Sequence, residues 1–96
     1  MDLGTLISYK LNKLLPQERC KIYRKLNGWK DKSQHSKYTY DRKGILSSIP
    51  HILVNRCVLI VRKEDANKII SFLDENNAGV FAREIILYKS DIENLK

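Results

Sequence analysis

The first fifteen residues carry apolar side chains at a helical spacing. Leucine or isoleucine stands at positions 3, 6, 7, 11, 14 and 15, so that apolar residues recur every three or four positions. This stripe predicts an amphipathic helix, and Asp2 in front of it is a favourable N-cap. Because Pro16 disfavours helical backbone angles at Leu15, we expect this helix to end near Leu14.

A second helix is predicted from Pro16 to just before Gly28. Proline is favoured at the first position of a helix, and glycine is favoured just beyond its end. Ile22, Tyr23 and Leu26 form the apolar stripe of this segment, whereas its other faces are basic. The pattern therefore predicts two helices at the N-terminus.

The rest of the chain predicts three strands and a longer helix. Residues 37–42 alternate aromatic and polar side chains, residues 52–61 are apolar on both faces in their second half, and residues 80–87 are again apolar. A helical stripe occupies residues 63–76. Two parallel strands joined by this helix are expected, with the strand of residues 37–42 beside or between them.

The predicted fold class is α+β, with two N-terminal helices followed by a β-β-α-β sandwich that is ferredoxin-like in its second half. Residues 90–93 have the spacing of a capping box, which predicts a short final helix. Ninety-six residues are enough for one small core, so we expect a single domain over residues 1–96. An open sheet edge favours pairing with a second copy, and a homo-oligomer is therefore predicted.

Composition narrows the class of protein. The chain is 43% hydrophobic and 30% charged, as is typical of a globular domain. Its longest apolar run, residues 57–61, is far shorter than the roughly 20 residues that cross a bilayer, and the N-terminus lacks a signal-peptide pattern. Cys20 and Cys57 are too few for a disulfide framework, and we expect them to act as small buried hydrophobes. A cytoplasmic protein without membrane contact is predicted.

The positive charge is concentrated in one quarter of the chain. Nine basic and two acidic residues lie between Arg19 and Lys43, whereas the remaining residues carry nine of each sign. The net charge of +7 therefore belongs to this segment. Such asymmetry indicates an anionic partner more than general solubility.

Aromatic side chains are interleaved with this charge between Gly28 and Gly44. Nucleic-acid surfaces use cations to bind phosphates and flat side chains on which bases stack. The candidate nucleic-acid-binding residues are Arg24, Lys25, Trp29, Lys30, Lys32, Lys37, Tyr38, Tyr40, Arg42 and Lys43. The alternative is that the two tyrosines cover the sheet and the lysines form an ordinary solvated surface.

Other candidate chemistry is sparse in the sequence. His35 among lysines could serve as the acid or base of a metal-independent nuclease, whereas His51 is expected to make a local backbone hydrogen bond. The cysteines and histidines lack the close spacing of zinc ligands, so no metal or cofactor is predicted. Arg56 and Arg83 interrupt apolar strands; each needs either an acidic partner, such as Asp65 or Glu84, or a ligand.

Taken whole, the chain resembles the small, basic, uncharacterised proteins of thermophilic archaea. The stretches that carry this resemblance are "YRKLNGWKDKSQHSKYTYDRKG" and "IPHILVNRCVLIVRKEDANKIISFL". It is a resemblance of overall composition, without a defining motif, and it implies no functional residues. The sequence predicts a nucleic-acid-binding protein rather than an enzyme, with RNA favoured over DNA. The alternatives are a homo-oligomeric interaction or regulatory domain and a small nuclease.

Overall fold

A computed structural model describes residues 2–32 and 39–95 of the chain. In chain order these residues form β1 (Asp2–Lys10), α1 (Pro16–Asn27), β2 (Trp29–Lys32), β3 (Thr39–Arg42), a single 3₁₀ turn (Ile45–Ser48), β4 (His51–Asn55), β5 (Val58–Arg62), α2 (Lys63–Glu75), β6 (Gly79–Leu87) and α3 (Lys89–Asn94). The strands belong to two separate sheets. One has four strands in the order β4-β5-β1-β6, and the other is the hairpin of β2 and β3.

The prediction of two N-terminal helices is wrong, because the first segment is the strand β1. This strand pairs antiparallel with β5 on one side and with β6 on the other. Ile7 and Tyr9 are buried on one face, while Leu6 is half-buried on the opposite face. A central strand that is apolar on both faces loses its period of two, and its leucines then match a helical spacing by coincidence. The predicted helix from Pro16 is confirmed as α1.

The strand-helix-strand unit predicted for the second half is confirmed. The strand between its two parallel members is β1, whereas residues 37–42 were expected beside or between them. β5 and β6 both run antiparallel to β1, so they are parallel to each other with β1 between them. α2 connects them, and Ala66, Ile69 and Leu73 of its predicted stripe are buried. Without the β2-β3 hairpin and the short final helix, the element order is β-α-β-β-α-β.

The apolar run of residues 52–61 is a hairpin rather than the predicted single strand. β4 and β5 pair antiparallel, and Arg56 and Cys57 form the turn between them. The polar pair Asn55 and Arg56, which interrupts the apolar run, marks this turn. The polar residues at this point therefore divide the apolar run into two strands joined by a turn.

The predicted strand of residues 37–42 is found in part, in a different place. Thr39–Arg42 form β3, which pairs with β2 and not with the main sheet. The other two members of the prediction, Lys37 and Tyr38, lie outside the described residues. The hairpin is an insertion between α1 and β4, and it stands apart from the four-stranded sheet.

The core lies between one face of the four-stranded sheet and the two longer helices. Its buried side chains come from β1, β5, α1, α2 and the loops beside them: Ile7, Tyr9, Leu11, Ile22, Leu26, Leu46, Ile49, Leu59, Val61, Ala66, Ile69, Leu73 and Ala78. α3 contacts β4 and β6. Over the described part of the chain, none of the helices is sufficiently long and apolar to span a membrane.

Candidate nucleic-acid interface

Helix α1 presents a basic face to solvent because its apolar stripe is turned into the core. Ile22 and Leu26 are buried, whereas Lys21, Arg24 and Lys25 are exposed on the remaining surface. Arg24 and Lys25 lie in the last turn, where cations interact favourably with the helix dipole. The C-terminal end of α1 therefore concentrates positive charge where the β2-β3 hairpin begins.

Two glycines fix the base of the hairpin against the end of α1. Gly28 ends the helix with φ of 81°, and its N–H donates to the carbonyl oxygen of Arg24 at 2.7 Å. A Cβ atom on Gly28 would overlap the carbonyl oxygen of Arg42. A Cβ atom on Gly44 would lie 2.5 Å from the carbonyl oxygen of Leu26 and would overlap the backbone nitrogen of Gly28. The segment that these glycines bracket is thus closed at its base by backbone contact.

Trp29, the first residue of β2, is partly open to solvent. Its side chain is 37% exposed. With Lys25 and Lys43 it lines a shallow cleft of about 660 Å³, whose other wall includes Phe72 and Glu75 of α2. The arrangement places a large aromatic surface between two lysines, as a base-stacking site requires.

The described members of the predicted site come together around α1 and the hairpin. Arg24, Lys25, Lys30, Arg42 and Lys43 are all exposed. Trp29 pairs across the hairpin with Arg42, and Lys30 pairs with Asp41. Lys32 and Tyr40 are backbone members of β2 and β3, whereas Lys37 and Tyr38 lie outside the described residues. We call Arg24, Lys25, Trp29, Lys30, Arg42 and Lys43 the hairpin surface.

Two ion pairs lie at the start of α2, outside the hairpin surface. Arg62 Nε is 2.9 Å from Asp65 Oδ2, and Lys63 Nζ is 3.9 Å from Glu84 Oε1. Within residues 2–32 and 39–95, neither Arg24 nor Lys25 has an ion-pair partner. These two cations therefore remain available to an external anion.

Several single-residue predictions can be compared with the structure. His51 makes the expected local bond, because its Nδ1 lies 2.8 Å from the carbonyl oxygen of Ile49. Cys20 is exposed, so its prediction as a buried hydrophobe is wrong, and Cys57 is half-buried. His35 lies outside the described residues, and its nuclease role stays a prediction.

The two arginines that were expected to need partners, Arg56 and Arg83, are both exposed and do not point into the core. Arg56 is an exposed turn residue whose guanidinium stacks over the ring of Tyr23, with its Cζ 5.1 Å from the ring centroid. Arg83 is exposed on β6 and stacks over Phe81 at 4.6 Å. Each arginine is accommodated by an aromatic ring, and the predicted pairing with Asp65 or Glu84 is wrong.

Sequence reasoning missed a second cluster, formed where the end of β1, the start of α1 and the β4-β5 turn meet. Tyr9 donates its hydroxyl to the carbonyl oxygen of Arg56 at 3.4 Å, and the hydroxyl of Tyr23 lies 3.2 Å from Cys57 Sγ. Burial, followed by the nearby Cys57, raises the pKa of Tyr9 far above its ordinary value. The hydrogen bond with Cys57 raises the pKa of Tyr23 as well, so both phenols are neutral at pH 7. Only the polar interruption at Arg56 signalled this cluster in the sequence.

Comparison of the chain with protein-family models, with curated proteins and with solved structures returned no match. The resemblance to small basic archaeal proteins therefore stays a prediction.

Proposed function

We propose that the protein binds single-stranded nucleic acid, RNA in preference to DNA, through the hairpin surface. The observation that carries the proposal is the partly exposed Trp29 between Lys25 and Lys43, in the quarter of the chain that holds the entire net charge. Lysines and arginines there bind phosphates, and the indole ring offers a stacking platform for a base. Stacking on aromatic side chains serves unpaired bases of RNA and DNA alike, so the preference for RNA is a separate part of the proposal that the titrations below test.

Salt dependence of oligonucleotide affinity tests this proposal. A fluorescein-labelled single-stranded RNA of about 20 nucleotides is titrated with the protein, and the dissociation constant is measured by anisotropy at 50 and 200 mM salt. Because about five phosphate contacts on a single strand release their counterions, we expect affinity to fall roughly a hundred-fold over this range. The corresponding DNA strand and a duplex serve as comparisons, and weaker binding to both is expected. Undetectable binding at 50 mM salt would contradict the proposal.

A second candidate function, self-association, is favoured by the face of the main sheet that lies opposite the helices. Phe81, Val58 and Ile60 lie on this face, as does Leu6 of β1, because the register of β1 with its neighbours places them on the side away from Ile7. Phe81 is 52% exposed. Arg83, which pairs with Leu6, lies on this face as well, and its guanidinium covers the ring of Phe81. An apolar patch beside one arginine can bury itself against the same face of a second copy about a two-fold axis. The β-α-β-β-α-β order is that of ferredoxin-like domains. The two longer helices pack on the other face of the sheet, so within the described part of the chain this face is free except where α3 contacts β4 and β6.

Substitution of Phe81 tests the second candidate. We expect the unmodified protein to be a dimer by light scattering at micromolar concentration, and Phe81→Lys to be a monomer because it places a charge in the apolar contact. Ile86→Lys is the matched control, since Ile86 lies on the same strand with 48% exposure and faces the other side. A monomeric unmodified protein, or equal effects of the two substitutions, would exclude this face as the interface.

A further inference from the structure

The cluster at the start of α1 opens into a cleft of about 700 Å³ that is separate from the hairpin surface. This volume lies within the range of small-ligand sites, roughly 300 to 1,000 Å³. Its cationic lining residues are Lys10, Arg19 and Arg56, and none of the aspartates or glutamates in the described part of the chain lines it. Tyr9 and Tyr23 form much of the remaining wall. A concave site with three cations and no carboxylate favours an anionic ligand.

Arg19 gives the most specific indication of what the cleft binds. Its Nε atom is buried and has no hydrogen-bond partner among the described residues. A buried donor on a charged group is costly when it is left without an acceptor. Arg62 shows the contrasting arrangement, because its Nε donates to Asp65 Oδ2 at 2.9 Å. The described residues supply no such carboxylate to Arg19, and an acceptor from a ligand would satisfy this atom.

The rest of the cleft is preorganised to receive that ligand. The ring of Tyr23 holds the Arg56 guanidinium at 5.1 Å, and the Tyr9 hydroxyl is bonded to the backbone of the same arginine. Stacking leaves the in-plane N–H groups of a guanidinium free to donate. α1 begins at Pro16 beside the cleft, and Leu15 in front of it provides no side-chain cap. Glu18 lies in this first turn, and the N–H groups of Glu18 and Arg19 already donate to the carbonyl oxygen of Leu15, so the positive field of the cleft is assigned to its lysine and arginines rather than to the helix dipole.

We infer that this cleft binds a phosphate group, held by the guanidinium groups of Arg19 and Arg56 at the start of α1. Two guanidinium groups together can donate to more than two oxygens, which a phosphate offers and a carboxylate does not. The phosphate has two available sources, the 5′ end of a nucleic-acid strand and a free mononucleotide. The inference does not depend on the hairpin surface, which lies at the other end of α1.

Calorimetric titration of the full chain with inorganic phosphate tests the inference. We expect binding to the unmodified protein and a loss of affinity of roughly ten-fold or more in both Arg19→Gln and Arg56→Gln, because each removes charge-assisted hydrogen bonds. Arg19→Lys keeps the charge and lacks the Nε donor, and we expect it to be weakened as well. The matched control is Lys21→Gln on the same helix, because Lys21 is exposed and lies outside both the cleft and the hairpin surface; this variant should bind phosphate normally. Thermal unfolding of each variant establishes that it is folded.

Two further titrations identify the source of the phosphate. Tighter binding of an RNA strand with a 5′ phosphate than of the same strand with a 5′ hydroxyl, lost in Arg19→Gln, would assign the cleft to a strand end. The cleft would be assigned to a mononucleotide if the two strands bind with equal affinity and the unmodified protein binds adenosine monophosphate more tightly than Arg19→Gln does. No binding of inorganic phosphate, or binding that Arg19→Gln and Lys21→Gln weaken equally, would overturn the inference while leaving the hairpin surface untested by it.

Discussion

Replacing Arg24, Lys25, Lys30 and Lys43 together by glutamine is expected to weaken binding of single-stranded RNA roughly a hundred-fold or more at about 0.1 M salt. All four side chains are exposed, and they flank Trp29 at the end of α1 and the base of the hairpin. Each phosphate contact on a single strand contributes about 0.7 to the slope of log affinity against log salt. The variant should therefore lose about three units of slope as well as affinity, as measured by the same anisotropy titration.

The matched control removes the same number of positive charges from elsewhere. The control lysines are also exposed, and they lie outside both the hairpin surface and the cleft lined by Arg19 and Arg56: Lys13, Lys63, Lys68 and Lys89. Their joint replacement by glutamine gives the protein the same net charge as the first variant. We expect it to retain most of its affinity, because few of these lysines would contact the bound strand. Equal losses from the two sets would mean that only overall charge attracts the RNA, and the hairpin surface would be abandoned.

Gly28→Ala is expected to reduce the free energy of unfolding by about 2 to 5 kcal/mol. Two effects add at this position: the left-handed backbone with φ of 81°, and the backbone of Arg42 in the space that a Cβ atom would fill. Gly44→Ala meets the same crowded contact without the unfavourable φ, and we expect about 1 to 3 kcal/mol. Urea denaturation followed by circular dichroism measures both values.

Gly79→Ala is the control for these two substitutions. The atoms nearest to a Cβ at this position belong to Lys10, at 3.8 and 4.0 Å, which is ordinary van der Waals contact. The substitution should change stability by less than about 0.5 kcal/mol. If Gly28→Ala were as stable as Gly79→Ala, the close approach of the helix end to the hairpin would not exist in solution. The position of Trp29 relative to the basic residues would then need another explanation.

The sequence predicted best those elements whose ends are marked by local chemistry. α1 begins at Pro16 and ends before Gly28, as the positional preferences of proline and glycine indicate. α2 and β6 also agree with their apolar patterns: α2 buries one stripe, and β6 has half-buried Val80 and Ala82 on one face and buried Leu87 on the other. Such signals depend on neighbouring residues alone and need no knowledge of the tertiary contacts.

Elements that depend on tertiary pairing were predicted wrongly. β1 lies between two other strands, and apolar residues on both of its faces gave it the spacing of a helix. β3 pairs with β2, a four-residue strand that carries three charged residues and no periodic signal. Such a strand can be assigned only when its partner across the hairpin is known, and the sequence alone does not identify that partner.

The sequence predicted where the positive charge of the candidate site lies, but it predicted the arrangement of the side chains only in part. Clustering of basic residues between Arg19 and Lys43 identified the region, and Trp29 has the partial exposure that the binding hypothesis requires. The cleft for which we propose phosphate binding was not predicted, because it brings together Arg19 and Arg56, which are 37 positions apart in the sequence. Such a juxtaposition follows from the packing of α1 beside the β4-β5 turn.

Emission from Trp29 during the RNA titration tests the central claim most directly. It is the only tryptophan in the chain, and it lies on the hairpin surface with 37% exposure, so its fluorescence reports on that place alone. If RNA binds there, the emission should change in intensity and wavelength and should saturate at the protein-to-RNA ratio at which the anisotropy saturates. The same titration of the variant that lacks Arg24, Lys25, Lys30 and Lys43 should leave the emission unchanged at equal concentrations. An anisotropy curve that saturates while the emission of the unmodified protein stays constant would contradict the hairpin surface as the binding site.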